Sequence, residues 1–116
     1  MNDLQASKCG IGILLTIILI KFLKNYFKIS RPDKTLKGYG FPSTRGGVLF
    51  FIISYLIFNN KLSTKTKLLL FVIGIFLCFL KYYFNEHSIQ QLLIGALIGI
   101  FISFIISKNY INKLLI

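Results

Sequence analysis

The sequence is poor in acidic residues, with three Asp and Glu against 14 Lys and Arg, which gives a formal net charge of +11. The basic residues do not form one long stripe, and no nucleic-acid recognition motif accompanies them, so nucleic acid is not the expected partner. Cysteine is also scarce. Cys9 and Cys78 lie most of the chain apart without metal-ligand spacing, so we expect packed thiols and no metal site. No repeat, low-complexity run or Pro/Gly-rich linker divides the chain, which predicts a single domain over 1–116.

Apolar residues, in contrast, are abundant: 55% of the chain is hydrophobic and 16% is aromatic. Runs such as Leu68 to Leu80 are apolar on every face and lack the polar stripe, with a period of about 3.6 residues, of a soluble bundle. A hydrocarbon core of about 30 Å needs roughly 17 to 25 apolar helical residues to cross it. The sequence therefore predicts an all-α integral membrane bundle of about four transmembrane helices, at Gly10 to Phe27, Gly46 to Asn59, Lys67 to Phe84 and Ser88 to Ser107.

The first two stretches differ from ordinary spans. The apolar run after Lys8 has the beginning of a signal peptide, but no small-x-small cleavage site follows it, so we expect an uncleaved first helix. The second stretch is the shortest. It should be tilted, thinly covered by lipid, or sheltered by its neighbours.

Four crossings would alternate the connecting segments between the two membrane faces. The loop 28–45 and the segment 85–87 then share one face, whereas the N-terminus, the loop 60–66 and the tail with Lys108 and Lys113 share the other. Helix parity therefore predicts that the longest basic loop and the only histidine, His87, lie at the same face. When the basic residues assigned below to phosphate are set aside, the opposite face carries more Lys and is expected to be cytosolic.

A first polar cluster follows the first helix. Lys24 and Arg31 are seven residues apart, which places them within about 20° on one helical face if the helix continues that far. Pro32 disfavours helical geometry at Arg31, so the helix should end there with the guanidinium at the membrane edge. The simpler alternative is a basic flank that anchors the helix to lipid headgroups.

A second cluster, Gly40 to Gly47, comes directly before the second apolar stretch. Ser43 or Thr44 can act as the N-cap, and the free N–H groups of the first helical turn then form an anion site. Arg45 adds a bidentate donor for phosphate. The alternative is a capped helix with a basic residue near its start. A cation has the wrong sign for the helix dipole there, which favours an anionic ligand.

The third cluster contains Lys81, His87 and Gln91. On a helix the Gln91 amide, four residues after His87, can reach the imidazole and fix its orientation. The alternative is a single interfacial histidine. An ionisable residue that shares a membrane face with several phosphate donors is nonetheless a site candidate. Gly95 and Gly99 form a small-xxx-small pair, which predicts close packing of the fourth helix.

The chain resembles the type 2 phosphatidic acid phosphatase superfamily at three places, in order: Lys24-x6-Arg31-Pro32, Pro42-Ser43-Thr44-Arg45 and Lys81-x5-His87-x3-Gln91. Each motif alone is unspecific, and their order on one membrane face is the signal. Within that superfamily the sequence is most similar to dolichyldiphosphatase, through Tyr39-Gly-x-Pro-Ser43 and His87-Ser-x-x-Gln91. The resemblance spans roughly residues 20–105.

This resemblance implies the core of that fold and a metal-independent membrane phosphatase, with no cofactor and with a phosphorylated membrane lipid as partner. It implies that His87 is the nucleophile that becomes a phosphohistidine, and that Gln91 orients it. The phosphoryl oxygens would be held by Lys24, Arg31, Ser43, Thr44 and Lys81. Positioning and charge neutralisation of this kind are what phosphoryl transfer chiefly needs. The implied location is the endoplasmic reticulum or another internal membrane, with the site on the non-cytosolic face.

The sequence departs from the family pattern at two positions. Arg45 stands where the second motif normally carries the His that protonates the leaving group, and Lys81 stands where the third motif normally carries Arg. Lys lacks the bidentate fork, so phosphate should be held in a looser geometry. A phosphate monoester leaving group, with a final pKa of about 6, needs a proton less than an alkoxide does. Arg45 can stabilise it as a permanent cation, so we expect a polyprenyl diphosphate, hydrolysed to the monophosphate, rather than phosphatidic acid.

Two other functions are compatible with the sequence. A catalytically degenerate relative would keep the bundle and its anion pocket and act as a lipid-phosphate binder or structural membrane protein, and the departures at Arg45 and Lys81 favour it. A small membrane protein without a ligand would explain the hydropathy but leave the three ordered motifs to chance. The sequence leaves the role of Glu86 and the oligomeric state open.

Overall fold

The computed structural model describes residues 3–32, 38–84 and 86–107, and these contain four α-helices. They are α1 (Asp3–Phe27), α2 (Thr44–Asn59), α3 (Thr64–Tyr83) and α4 (Ile89–Ser107). The predicted stretches match these helices to within about three residues at each end, except that α1 begins at Asp3 rather than Gly10. The all-α prediction is confirmed for this part of the chain. The predicted basic tail with Lys108 and Lys113 lies outside it.

Three helices, α1, α3 and α4, are long and apolar enough to cross a membrane. The shorter α2 has 16 residues and is the most enclosed helix of the bundle, because it packs mainly against α4 and α1. Phe51 and Tyr55, both fully buried, stack on each other at its centre and contact Ile102 and Ile106 of α4. Of the three alternatives predicted for this stretch, shelter by neighbouring helices is the one that the structure shows.

Glycine allows α2 and α4 to approach each other closely. A Cβ atom at Gly99 would collide with the carbonyl oxygen of Gly47, and one at Gly95 would collide with that of Ser43. The backbones therefore touch where the fourth helix was predicted to pack closely. Close backbone approach of this kind is the usual reason for small residues between membrane helices.

The outer faces of α1 and α3 are apolar and exposed. Along α3 only Gly74 is buried, whereas Val72 and Phe76 are each 58% exposed. In water such a surface would favour association, but hydrocarbon solvates it at no cost. This distribution of side chains is consistent with a helix that crosses a membrane.

Hydrogen bonds at one end of the bundle establish an up-and-down order. The Tyr55 hydroxyl donates to the carbonyl oxygen of Gln5 at 2.8 Å, and the Asn59 amide donates to the Ser107 hydroxyl at 2.8 Å. The start of α1 therefore lies beside the ends of α2 and α4. The opposite end carries the α1–α2 and α3–α4 connections together, as helix parity predicted.

The chain turns sharply after α1. Lys28 has a φ of 53°, in the left-handed region, and its N–H donates to the carbonyl oxygen of Lys24 at 2.9 Å, which caps the helix. The expectation that α1 continues to Arg31, with Lys24 and Arg31 on one helical face, is therefore wrong. Arg31 instead lies in a loop closed by an isolated β-bridge between Ser30 and Tyr39.

Candidate active site

A polar cavity of about 440 Å³ opens at the end of the bundle where α1 turns to α2 and α3 turns to α4. Six residues that the sequence predicted for the site line it together with Glu86: Lys24, Arg31, Thr44, Arg45, Lys81 and His87. The other two predicted residues, Ser43 and Gln91, are buried behind the cavity wall. The loop and the helix ends thus bring the three scattered clusters to one space.

The contact between Arg31 and His87 joins the first cluster to the third. Arg31 Nη1 lies 3.4 Å from the imidazole Nε2 and donates to the carbonyl oxygen of Glu86 at 3.3 Å. The Nε atom of Arg31 is buried and has no hydrogen-bond partner within the described part of the chain. Arg31 therefore retains donor capacity next to the only histidine of the sequence.

The partners of the imidazole determine where its proton lies. Nδ1 of His87 is 3.0 Å from the carbonyl oxygen of Gly40, which can only accept a hydrogen bond. Arg31, on the other side, can only donate. The neutral ring that satisfies both partners carries its proton on Nδ1 and leaves the Nε2 lone pair directed towards Arg31 and the cavity.

The surroundings also favour the neutral imidazole. His87 is 2% exposed. Burial is the main cause that lowers its pKa to about 4, and the positive charges of Arg31 and then Lys24 add to the shift. The Gly40 carbonyl and the Gln91 side chain act in the opposite direction. At neutral pH the ring is therefore uncharged, which is the form that can act as a nucleophile.

Gly40 was not predicted as part of the site, although it lies in the quoted lead-in motif. A Cβ atom at this position would lie 2.8 Å from the Gln91 side-chain oxygen and 2.9 Å from Cγ of Arg31. Its N–H donates to the carbonyl oxygen of Ile29 at 2.8 Å, which holds the loop closed. Only glycine fits here without displacing a neighbour. The glycine in the motif was therefore the sequence feature that could have indicated this part of the site.

Gln91 has further partners besides His87, whose pKa its side chain raises through a hydrogen bond. Its side-chain oxygen accepts from the N–H of Ser88 at 3.0 Å, and the Ser88 hydroxyl accepts from the N–H of Gln91 at 3.2 Å. This reciprocal pair is a capping box at the start of α4. The Gln91 amide nitrogen donates to the carbonyl oxygen of Ser30 at 3.0 Å, next to Arg31. Gln91 therefore ties the Arg31 loop to α4, and its role in orienting His87 stays a prediction.

Ser43 is the N-cap of α2. The sequence predicted either Ser43 or Thr44 for this position. Its hydroxyl accepts from the N–H of Gly46 at 3.0 Å, and its own N–H donates to the carbonyl oxygen of Gln91 at 3.1 Å. A direct bond from this fully buried hydroxyl to phosphate would require the cap to open. The N–H groups of Thr44 and Arg45, in the first helical turn, have no intrahelical acceptor and are the ones available to an anion.

Lys81 and Glu86 form an ion pair of 3.0 Å at the edge of the cavity. The hydrogen bond from Lys81 is the main cause that lowers the pKa of Glu86, so its carboxylate is ionised at neutral pH. The role of Glu86, which the sequence left open, is to face the cavity and neutralise Lys81. Lys81 was predicted to bind phosphate, and in this structure its ammonium group is already paired with the Glu86 carboxylate.

The chemistry available to the cavity follows from these side chains. Four cationic groups, Lys24, Arg31, Arg45 and Lys81, face one carboxylate and a neutral imidazole. Within residues 3–32, 38–84 and 86–107, no group of three or more His, Cys, Asp or Glu side chains converges. The positive charge that the lining residues bring to the cavity comes from Lys and Arg side chains, which suit an anion with several oxygens, such as a phosphate.

Comparison of the chain with models of protein families, with curated proteins and with solved structures finds no match.

Proposed function

We propose that the protein is a membrane lipid diphosphate phosphatase that removes the terminal phosphate from a polyprenyl, dolichyl-type diphosphate and releases the lipid monophosphate. The observation that carries this proposal is a buried histidine that lines a cationic cavity at the end of an apolar bundle, with Nδ1 against the Gly40 carbonyl and Nε2 against Arg31. The resemblance to the type 2 phosphatidic acid phosphatases supports the same reaction. In that reading the site lies on the non-cytosolic face of an internal membrane.

The first step is attack by Nε2 of His87 on the terminal phosphorus. A bond forms between nitrogen and phosphorus, and the bond from phosphorus to the bridging oxygen breaks. The electron pair stays on that oxygen, which becomes a terminal oxygen of the lipid monophosphate. Throughout this step the proton on Nδ1 stays hydrogen-bonded to the Gly40 carbonyl, which disperses the charge that develops on the ring.

In the second step, water adds to the phosphorus of the phosphohistidine. The bond between nitrogen and phosphorus breaks, its electron pair returns to Nε2, and inorganic phosphate leaves with the protons of the water. The cations around the cavity stabilise the phosphoryl oxygens in both steps. This is the main contribution that a protein makes to phosphoryl transfer.

Arg45 suits a diphosphate substrate better than a phosphate monoester. A lipid monophosphate leaves with a final pKa of about 6, so a fixed positive charge can stabilise it without delivering a proton. An alkoxide is far more basic and requires an acid. The only acidic side chain that lines the cavity within the described residues is Glu86, and its pKa is lowered, so it is not protonated at neutral pH.

The direct test is release of phosphate from a polyprenyl diphosphate by the purified protein in detergent with a metal chelator present. The wild type should release phosphate and, after a brief reaction with substrate labelled in the terminal phosphate, carry an acid-labile phosphohistidine. His87→Ala should abolish both signals. Lys61→Ala, which removes an exposed Lys before α3 at the other end of the bundle, is the matched control and should behave like the wild type.

Two outcomes would contradict the proposal. If wild type and His87→Ala are equally inert, the protein is not a phosphatase for this lipid. If His87→Ala retains the activity of the wild type, the phosphate release comes from another source, because the sequence holds no second histidine.

A second candidate function is binding of a lipid phosphate without hydrolysis. The ion pair between Lys81 and Glu86 favours it, because one of the expected phosphate ligands is already neutralised. A binder would retain a phosphorylated lipid after His87→Ala and lose it after Arg31→Ala, and its wild type would release no phosphate. Measurement of binding and hydrolysis on the same three proteins separates the two functions.

A further inference from the structure

Two less polar spaces lie next to the polar cavity. The first, here called the junction cavity, has a volume of about 390 Å³ and shares Arg45, Lys81 and Glu86 with the polar cavity. The second, the α3–α4 groove, has a volume of about 550 Å³ and shares Cys78 and Leu92 with the junction cavity. The three spaces therefore lie next to one another in series, from the end of the bundle to its side.

The chemistry of the walls changes along this series. The polar cavity has four cations, and the junction cavity combines its three shared charged residues with apolar side chains. The α3–α4 groove is lined almost wholly by apolar groups, among them Phe71, Ile75 and Phe79 of α3 and Leu93, Ala96 and Leu97 of α4. This is the order of groups in a phosphorylated lipid: charged head, linkage, hydrocarbon chain.

The groove exists because α3 touches α4 very little. The α3 residues that line it span 71–82 and the α4 residues span 89–100. Eleven helical steps on each helix give it a length of roughly 16 Å, about half of a 30 Å hydrocarbon core. A chain lying in it would continue into the bilayer beyond its far end.

We propose that the α3–α4 groove binds the hydrocarbon chain of a lipid whose phosphate groups occupy the polar cavity, with one chain for each phosphate head. This inference rests on the proposed function. It also orients the substrate. The phosphate that carries the chain lies beside Arg45 and Lys81, at the junction cavity, and the terminal phosphoryl group lies beside Arg31 and His87. In this orientation His87 attacks the terminal phosphorus and the lipid monophosphate leaves towards the groove.

Cys78 offers a test that is independent of catalysis. It is half-buried and lines both the junction cavity and the groove. Cys9, also half-buried, packs against the Phe51 and Tyr55 cluster near the opposite end and serves as an internal control. Labelling of each thiol by N-ethylmaleimide can be followed by mass spectrometry in the full-length wild type in detergent. The variants Cys9→Ser and Cys78→Ser assign the two labels.

The probe is a non-hydrolysable farnesyl methylenebisphosphonate, compared with methylenebisphosphonate without a chain and with farnesol without phosphate. The farnesyl bisphosphonate should slow labelling of Cys78 at least about tenfold at saturation, as expected when ligand occupancy exceeds about nine in ten sites. It should leave Cys9 unchanged. Neither fragment should protect Cys78 at the same concentration. Equal rates with and without the farnesyl bisphosphonate would overturn the proposal.

Two other results would also overturn it by identifying a different occupant. Protection by farnesol as strong as that by the bisphosphonate would mean that the groove takes bulk lipid without regard to the head. A labelling rate that depends on protein concentration, with no effect of any probe, would mean that a second copy of the chain covers the groove. Each result is independent of whether the protein hydrolyses a diphosphate.

In a second experiment a substitution fills the groove. This experiment distinguishes failure of the groove proposal from failure of the proposed function. Ala96→Phe places a ring in the groove, and Ile105→Phe, on the same helix outside the groove, is the matched control. For a long polyprenyl diphosphate, Ala96→Phe should raise KM several-fold, because the ring takes the place of the chain and the displaced methylene groups lose their packing contacts with the groove. A five-carbon prenyl diphosphate should be hydrolysed as by the wild type.

A wild type that hydrolyses neither substrate refutes the proposed phosphatase activity. The labelling result alone then decides whether the groove binds the hydrocarbon chain. An Ala96→Phe variant that loses both substrates equally, or neither, refutes the groove while the wild-type activity stands.

Discussion

The protonation state of His87 can be measured directly, because the chain contains one histidine. Protein in detergent with 15N-labelled histidine therefore gives a single pair of ring nitrogen signals. We expect these signals to report a neutral ring at pH 7, with the proton on Nδ1, since Nδ1 faces the Gly40 carbonyl and Nε2 faces Arg31. The signals should titrate with a pKa of about 4.

The size of the effect follows from that pKa. At pH 7 about one ring in a thousand would be protonated, compared with about one in four at the ordinary pKa of about 6.5. The shift corresponds to at most about 3 kcal/mol against the charged ring in the folded state. Because the folded pKa is lowered, the unfolded chain binds more protons between about pH 6.5 and pH 4. The contribution of His87 to the free energy of unfolding is therefore fully present above this window and is lost as the pH falls through it.

Two variants test the cause of the shift. Arg31→Met removes the neighbouring charge but keeps an apolar side chain of similar length, so the pKa of His87 should rise while burial, the larger cause, still holds it below the ordinary value. Lys61→Met, at the other end of the bundle, should leave it unchanged. Added methylenebisphosphonate, which neutralises the same charges, should also raise it. A wild-type pKa near the ordinary value, or a neutral ring with its proton on Nε2, would refute the reasoning.

Three further predictions concern other parts of the site and the bundle. Arg31→Ala should lower kcat for a polyprenyl diphosphate by about 10²- to 10³-fold, the usual cost of removing one preorganised donor, and an unchanged kcat in the phosphate-release assay would contradict its role. Gly99→Leu should lower the Tm in detergent because the new side chain meets the backbone of α2. Gly10→Leu, where a Cβ atom has open space, should leave the Tm unchanged. Equal Tm values for the two variants would argue against close packing of α4 on α2. Glu86→Gln should free Lys81 and tighten binding of methylenebisphosphonate about two- to fivefold by calorimetry, whereas weaker binding would mean that the carboxylate assists the ligand.

The helices could be predicted from the sequence because lipid requires long apolar stretches. The one large boundary error, at the start of α1, has a physical reason. The residues from Asp3 to Lys8 are largely polar, so hydropathy excludes them, but a helix can continue beyond the apolar region where water or headgroups satisfy its side chains. Hydropathy locates the part of a helix that lies in lipid and not the helix itself.

The site was predicted in outline, because helix parity brings the α1–α2 loop and His87 to one face whatever the detailed contacts are. The contacts themselves depend on turns that periodicity does not describe. Lys24 and Arg31 are seven residues apart, but Lys28 adopts a left-handed conformation and the helix ends before it. The spacing therefore does not place the two residues on one helical face.

The polar partners behind the cavity were assigned less well. Gln91 was expected to contact the imidazole, and its side chain does act on the pKa of His87, but the spacing of Ser88 and Gln91 is also that of a capping box, which the start of α4 forms. Ser43 was expected both as a cap and as a phosphate ligand, and in the folded chain its hydroxyl is buried by the cap. In both cases a local backbone hydrogen bond competes with the ligand for the same polar group.

The short central helix also sets the depth at which chemistry can occur. The 16 residues of α2 rise about 24 Å, less than the roughly 30 Å of hydrocarbon in a typical bilayer. Because Ser43, at its start, lies beneath the cavity, the proposed reaction requires a lipid head to sink below the level of neighbouring headgroups, or the membrane to become locally thinner, before the phosphates meet Arg31 and His87. Hydrophobic mismatch of this kind costs fractions of a kcal/mol per Å. The rate of the reaction would then depend on the acyl-chain length of the surrounding lipids, with faster turnover in thinner bilayers.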